Sequence, residues 1–566
     1  MMTNTLRLLL AALIILSLTP AADPDPVFAK NGMVVSAKQL ASEVGVEILK
    51  KGGNAIDAAV ATGFALAVTH PQAGNIGGGG FMVAQLADGT SFALDYRETA
   101  PAAAFRDMYL DSVGNVIENL STYSLLAAGV PGSVDGLLRS WRDYGSGNIS
   151  RKQLLAPAIR LARKGFPITR RYAHYLNYYH DYFIRNPGAA AIFIKSDGQP
   201  WQAGDKLVQR DLAKTLKQIA KNGRDGFYTG AVADLIVAEM SRDGGLITKA
   251  DLLNYTAQYR PPVTGTFREY EIISMPPPSS GGVLVVQMLN MLEYFPVDSL
   301  GWNSSAYIHL LTEVERRAYS DRAEHLGDPD FWDVPLSLLM SKEYARQRII
   351  DLRLNEATPS GEVSAGQQLP AESPETTHYS VIDQLGNAVS VTTTLNFSFG
   401  CGIIVEGAGF FLNNEMDDFS AKPGVPNAFG LLGNDANAIV PGKRMLSSMT
   451  PTIVLKDQQP YLLVGAPGGA TIITTVLQVI LNSTIYGMDI QEAVSAPRVH
   501  SQWYPDVVYG EIRGLSEDVI TNLQELGHVV EVHPWGYMGR ANCILVDSTG
   551  YYGGADPRGE NATVGY

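Results

Sequence analysis

The stretch Glu375-Thr376-Thr377-His378-Tyr379-Ser380-Val381-Ile382-Asp383 decides how this chain is read. It begins abruptly with two hydroxyl residues and continues in the β-branched and aromatic composition of a strand. The preceding residues, 358–375, contain three prolines and several Ser, Gly and Gln, with no apolar periodicity. That composition predicts an exposed, mobile linker. Two readings follow from the residues alone. One is a linker that runs into an ordinary strand. The other is chemical: a Thr hydroxyl beside a free α-amine can use that amine as its general base. The reference pKa of such an amine is ~7.7–8, so a useful fraction is unprotonated near neutral pH.

Outward from this strand the pattern is layered. Downstream, 377–382 is expected to pair with 388–396 across a turn containing Gly386-Asn387. Further pairs are expected at 452–455 with 461–464 and at 543–546 with 551–552, with a helix over 470–485 between them. Upstream, 37–51 has amphipathic spacing ended by Gly52-Gly53, and Asn54 is placed to cap a helix over 55–68. That second helix is apolar on nearly every side, which predicts burial. Four glycines, 77–80, precede a hairpin of 81–87 and 91–96 with an Asp88-Gly89 turn. Residues 133–327 read as mostly helical. Helices followed by strand pairs indicate an α+β, layered architecture rather than alternating βαβ units.

Composition narrows the function. A chain of 566 residues is long enough for two to four conventional domains. A formal net charge of −14 with no basic run argues against nucleic acid and anionic membrane surfaces as partners. Arg7 precedes an apolar run over 8–18, too short to span a bilayer but of signal-peptide length and order. Cleavage after Ala22 or after Ala29 fits equally well. No stable membrane span is expected after its removal, which predicts an exported, periplasmic or extracellular protein. Cys401 and Cys543 can pair or remain buried thiols, and spacing does not choose. No HExxH motif supports a catalytic metal, and no GxSxG elbow supports a serine esterase.

The nine opening residues resemble the processing site of the γ-glutamyltranspeptidase family, within the N-terminal-nucleophile hydrolases. The resemblance extends to Gly52-Gly53-Asn54-Ala55-Ile56-Asp57-Ala58-Ala59, to His70-Pro71-Gln72-Ala73-Gly74-Asn75-Ile76 with the glycines after it, and to Asp95-Tyr96-Arg97-Glu98. Downstream it covers Leu412-Asn413-Asn414-Glu415-Met416-Asp417-Asp418-Phe419-Ser420, Leu446-Ser447-Ser448-Met449 and Pro467-Gly468-Gly469. These stretches occur in family order over nearly the whole chain.

The resemblance implies a four-layer αββα sandwich made as one precursor. It is cut into a large chain (30–375) and a small catalytic chain (376–566) that stay associated. It implies Thr376 as nucleophile, its α-amine as base, and Thr394 as the residue that positions it and borders the substrate. Thr377 matches a following structural position. Asn396 is expected to contact the substrate α-amino group and, two residues after Thr394 on the paired strand, to share a strand face with it. Arg97, Ser447 and Ser448 are expected to hold an α-carboxylate. Asp418 anchors the α-amine, with Glu415 standing where many bacterial members carry Gln. Two adjacent acids hold an ammonium more strongly, while their repulsion raises a pKa. Gly468 and Gly469 would form the oxyanion hole, Gly469 also bordering the substrate, and 422–443 matches a lid loop. Read individually, Arg97 is an ordinary surface ion pair with Glu98, and Glu415 and Asp418 are solvated loop acids.

The implied activity is attack on glutathione or another γ-glutamyl amide, followed by transfer to water, an amino acid or a dipeptide. No metal or organic cofactor is expected. The alternatives are a cephalosporin or glutaryl acylase of the same superfamily, and an exported binding homologue without catalysis.

Overall fold

The computed structural model describes residues 24–364, 376–422, 425, 427, 433 and 435–566. Residues 1–23 of the expected leader, residues 365–375 of the linker and parts of the 422–443 loop lie outside the described residues.

The strand Thr377–Asp383 sits third in a seven-stranded antiparallel sheet. Its neighbours are Gly32–Ser36 and Ala388–Thr394. Beyond these lie the edge strand Ala562–Gly565 on one side, and Gly79–Gln85, Ser91–Asp95 and Gln258–Arg260 on the other. A second antiparallel sheet runs Val27–Ala29, Gly550–Ala555, Asn542–Asp547, Gln459–Val464, Thr452–Lys456, Tyr270–Ser274, Val263–Phe267. The two sheets face each other, and helices cover both outer faces, which is the expected four-layer αββα sandwich.

Side-chain alternation along the Thr377–Asp383 strand explains its place. Tyr379 and Val381 join the core beneath the helices, whereas Ile382 joins the core between the sheets. Ser380 Oγ donates to the Asn542 carbonyl of the opposite sheet at 2.9 Å. The strand is therefore buried on both faces, not an edge strand.

The helix Ala55–Thr69 lies on the outer face of the first sheet and all fifteen of its residues are buried. Asn54 caps it as expected: its side chain accepts the Asp57 amide at 3.0 Å, and Asp57 accepts the Asn54 amide at 2.9 Å. Helices Gly281–Leu292, Ser305–His325 and Thr471–Thr484 pack with the second sheet.

Besides the two-residue pair Phe166–Pro167 and Lys206–Leu207, the stretch read as mostly helical hides Gln258–Arg260, Val263–Phe267 and Tyr270–Ser274. They are short, and Pro261-Pro262 divides the first two, so no window long enough to show period-two alternation exists. Cys401 and Cys543 are free and buried, and burial pushes both thiols up to about 12.

Both sheets interleave strands from before and after residue 376. In the first sheet, Thr377–Asp383 lies directly between Gly32–Ser36 and Ala388–Thr394. A backbone cut near 376 cannot release either part without unzipping both sheets.

Candidate active site

The antiparallel register that pairs Thr377 with Thr393 puts Thr394 opposite Thr376. Thr376 is 5% exposed, and its hydroxyl makes a long 3.5 Å contact with Thr394 Oγ1. Thr394 is itself fixed. Its Oγ1 accepts the Asn396 amide at 2.8 Å, and its carbonyl accepts from Asn75 Nδ2 at 2.7 Å. The glycine run lets the backbone press against this pair: a Cβ on Gly78 would lie 2.2 Å from the Thr394 carbonyl oxygen.

Asn396 reaches the site differently from the expectation. The strand stops at Thr394, and Asn396 adopts φ 74°. It therefore does not share a strand face with Thr394 by two-residue alternation. A short amide side chain tolerates this left-handed conformation, and Nδ2 donates to the Asn414 carbonyl at 3.0 Å. Both side chains still border the same cleft.

That cleft gathers Thr376, Thr394 and Asn396 with Arg97, Glu415 and Asp418, and with Ser447, Ser448 and Gly469. Of the residues singled out in the sequence, only Gly468 is not among its walls.

Arg97 is not a surface residue. It is 1% exposed, its backbone amide is held by Asp95 Oδ1 at 3.0 Å, and its guanidinium pairs with both Glu415 and Asp418. Its Nε also donates to the Met445 carbonyl at 3.3 Å, and Glu98 lies 3.8 Å away. The solvated-acid reading fails equally, because Glu415 is fully buried in the turn Glu415–Asp418. Only the tertiary packing of three separated segments creates this cluster, so no local signal reveals it.

The electrostatics are one-sided. Burial, above all, raises the carboxyls: Glu98 to about 8, Glu415 well above the usual range, and Asp418 upward. Arg97 opposes the shift, and mutual repulsion adds to it as the sequence suggested. The Arg97 guanidinium faces three carboxyl groups, Glu98, Glu415 and Asp418, and is paired with the last two. Glu415 Oε1 has no hydrogen-bond partner among the described residues. An ammonium group entering here would give Glu415 Oε1 a donor.

The Gly468-Gly469 turn sits in a short loop between the strand Gln459–Val464 and the helix Thr471–Thr484. Gly468 has φ 144° and Gly469 φ 57°, conformations that favour glycine. The Gly468 carbonyl accepts from Thr471 Oγ1 at 2.7 Å. Among the described residues nothing accepts from either glycine amide, which leaves two N–H donors beside a helix N-terminus.

Two further features were missed in the sequence. Arg322, on the helix Ser305–His325, borders the cleft and donates from Nε to Ser280 Oγ at 3.0 Å and from Nη2 to Ser448 Oγ at 3.5 Å. It is one of several buried charges on a helix whose sequence reads as solvated. Asn437, within the 422–443 loop, donates to the Asp418 carbonyl at 2.7 Å and accepts the Leu446 amide at 2.9 Å. The described part of that loop thus ties the Asp418 turn to the serine segment.

Comparison with known proteins agrees with this geometry. The chain is similar to the glutathione hydrolase proenzyme of Escherichia coli (strain K12), at 50% identity over 544 residues, covering 96% of this chain and 93% of the relative. Among solved structures, the cephalosporin acylase from Bacillus halodurans superposes with a TM-score of 0.83 at 28% identity, over 97% of this chain and 98% of that one. A Helicobacter pylori gamma-glutamyltranspeptidase chain gives a TM-score of 0.58 at 45% identity, over 62% of this chain and 99% of its own. The gamma-glutamyltranspeptidase family model matches residues 41–566, and this chain belongs to that family.

Proposed function

We propose that the protein is an autoprocessed glutathione hydrolase and γ-glutamyltransferase with Thr376 as its N-terminal nucleophile. The observation that carries this reading is the single cleft in which Thr376 meets Arg97, Glu415, Asp418, Ser447 and Ser448. A γ-glutamyl group carries an α-carboxylate and an α-ammonium at one end and the reacting carbonyl at the other. The cleft offers a matching array. Arg97 and the serine hydroxyls face the carboxylate, Asp418, Glu415 and Asn396 face the ammonium, and the nucleophile lies at the far end.

In this mechanism the Thr376 α-amine takes the hydroxyl proton as Oγ1 attacks the γ-carbonyl. Thr394 holds the hydroxyl in place. The oxyanion forms against the Gly468 and Gly469 amides, worth about 10²–10³ in kcat when one donor is lost in comparable sites. The leaving amine departs with a proton from the α-amine, leaving a γ-glutamyl ester on Thr376. Water then releases glutamate, and an amino acid or dipeptide yields the transfer product.

The cut itself is proposed between 375 and 376. It is supported by the interleaved sheets, which would hold a large and a small chain together, and by the burial of Arg97 against Glu415 across the cut. The Helicobacter pylori chain corresponds to 62% of this one, close to the share that precedes Thr376. Export is proposed from the leader composition. Cleavage after Ala22 is supported over Ala29, because Val27–Ala29 pairs with Gly550–Ala555 and Ala29 is buried. No helix among the described residues is long and apolar enough to cross a membrane.

An acylase of glutaryl amides would have no use for the ammonium-facing acids, since the glutaryl group lacks the α-amine. Rates on γ-glutamyl-p-nitroanilide and glutaryl-p-nitroanilide separate the two. The γ-glutamyl compound is expected to win by at least a hundredfold in kcat/KM, and preference for the glutaryl compound would overturn the proposal.

A further inference from the structure

The helix Ser305–His325, which carries Arg322 to the cleft, holds a second polar cluster near its start. His309 and Glu313 stand four residues apart and so share one face of that helix. His528, just beyond the helix Glu517–Glu525, meets them from the other side of residue 376. One nitrogen or oxygen of each lies within 4.8 Å of those of the other two. All three residues are buried, His528 at 5% exposure. None of them lines the Thr376 cleft.

The hydrogen bonds decide which atoms have lone pairs to offer. His309 Nε2 lies 2.7 Å from the Arg353 carbonyl, which can only accept, so in the neutral ring Nε2 carries the proton and Nδ1 is bare. His528 Nε2, 2.7 Å from that Nδ1, must then donate to it. His528 Nδ1 is left as a second bare nitrogen, with no partner among the described residues. Burial holds His528 down to about 4, so its ring is neutral at ordinary pH.

The surrounding charge is negative. Burial opposes ionisation of Glu313, but Arg316 and Arg317 hold its carboxyl below the ordinary value. Oε1 accepts from Arg316 and the Thr358 amide, whereas Oε2 accepts only from Arg317 among the described residues and keeps a lone pair. Arg316 also pairs with Asp506, Arg317 with Asp351, and Arg353 with Glu356 and Glu362. In this network five carboxylates meet three guanidiniums, an excess suited to a divalent cation.

We infer that His309, Glu313 and His528 form a structural zinc site. Two imidazoles and a carboxylate are ligands zinc favours, and spacing of four residues on a helix is a common way to present two of them. The His309 Nε2–H bond to the Arg353 carbonyl is the outer contact that orients a ligating ring. Tetrahedral ligands of zinc stand about 3.3–3.6 Å apart, so a small parting of the rings admits the ion in place of the hydrogen they share. His528 keeps its proton on the nitrogen that does not bind the metal, and water completes the coordination. His309 and Glu313 precede the proposed cut and His528 follows it, so the ion joins the two chains. That consequence rests on the cut; the site does not.

The test uses the untagged full-length protein as purified, stripped with EDTA and titrated with Zn²⁺ against a chromophoric chelator. One zinc per protein is expected, with a Kd of about 1 μM or tighter. His309→Gln and His528→Gln should each weaken binding at least about tenfold. Co²⁺ should give the visible bands of a four-coordinate site in the parent and lose them in both variants. Zinc should raise the Tm of the parent and leave that of the variants unmoved. Activity on γ-glutamyl-p-nitroanilide, retained within about twofold, shows that a variant is folded, and His528→Gln in its loop carries the test if the helix variant does not fold. No binding by the parent at about 10 μM Zn²⁺, or undiminished binding by His528→Gln, overturns the assignment. An uncut protein that binds zinc through these residues supports the site and removes only the joining of two chains.

Discussion

The two cavities that meet at Thr376 are built on opposite principles. In the head-group cleft the charges are held by neighbours: Arg97 is engaged by Glu415 and Asp418, and Arg322 donates to Ser280 and Ser448. The second cavity, which Lys38, His70, Arg171 and Arg540 line beside Thr376, has cations in excess and a rim of unmatched polar atoms. A cleft whose charges are fixed by one another is pre-organised and admits one arrangement of ligand charge.

The comparison can be broken most severely at Arg97. Arg97→Ala should lower kcat/KM for γ-glutamyl-p-nitroanilide by roughly three orders of magnitude, because the carboxylate loses its partner. It should also destabilise the fold by about 3–5 kcal/mol, since Glu415 and Asp418 are left buried beside no cation. Arg171→Ala, at an exposed side chain, should cost about 1 kcal/mol or less in denaturant unfolding. Similar losses for both variants would erase the distinction.

Gly468→Ala should act on rate rather than binding. The added Cβ would meet Thr471 Oγ1 at 2.4 Å, in a backbone conformation at φ 144° that L residues avoid. A drop in kcat of about a hundredfold, with a smaller change in KM, is expected from displaced oxyanion donors.

The pH dependence of stability separates the cavities by sign. His70 in the second cavity is held well below 6.5 by burial, as is His378 on the nucleophile strand, at about 3. Their folded pKa values are depressed, so the stability they contribute is whole above about 6.5 and lost as pH falls from there toward 3. In the head-group cleft the folded pKa of Glu98 is raised to about 8. Its contribution is whole below about 4.5 and lost as pH rises through 8. Melting temperature against pH should therefore decline at both ends. His378→Gln should flatten the acid limb, and Glu98→Gln the alkaline one.

The smallest effect is expected at Glu415→Gln. One raised carboxyl disappears while the shape and a hydrogen bond to Arg97 are retained. A change of a few-fold in KM would fit, and a loss as large as that of Arg97→Ala would not.

Much of this arrangement was legible beforehand. The strand pair after residue 376, the Asn54 cap and the buried helix after it follow from local pattern, and local pattern is what a sequence displays. Recognising the cleft residues required the resemblance as well, because a Ser pair or an Arg beside a Glu has an ordinary meaning on its own. Three things stayed hidden for physical reasons. The strands at 258–274 are too short to show a period. Asn396 leaves the strand through a left-handed turn that neighbouring residues do not announce. Arg322 sits on a helix whose charges become buried only in the tertiary packing, where its guanidinium meets Ser280 and Ser448 from separate segments.

The central claim is that Thr376 becomes an N-terminus by the protein's own action. Denaturing electrophoresis with N-terminal sequencing of the purified protein and of Thr376→Ala tests it directly. The unaltered protein should give two fragments, the smaller beginning Thr376-Thr377-His378, and the variant should remain one uncut chain without activity. A variant cut as fast as the parent, or a small fragment beginning at Thr377, would contradict the account.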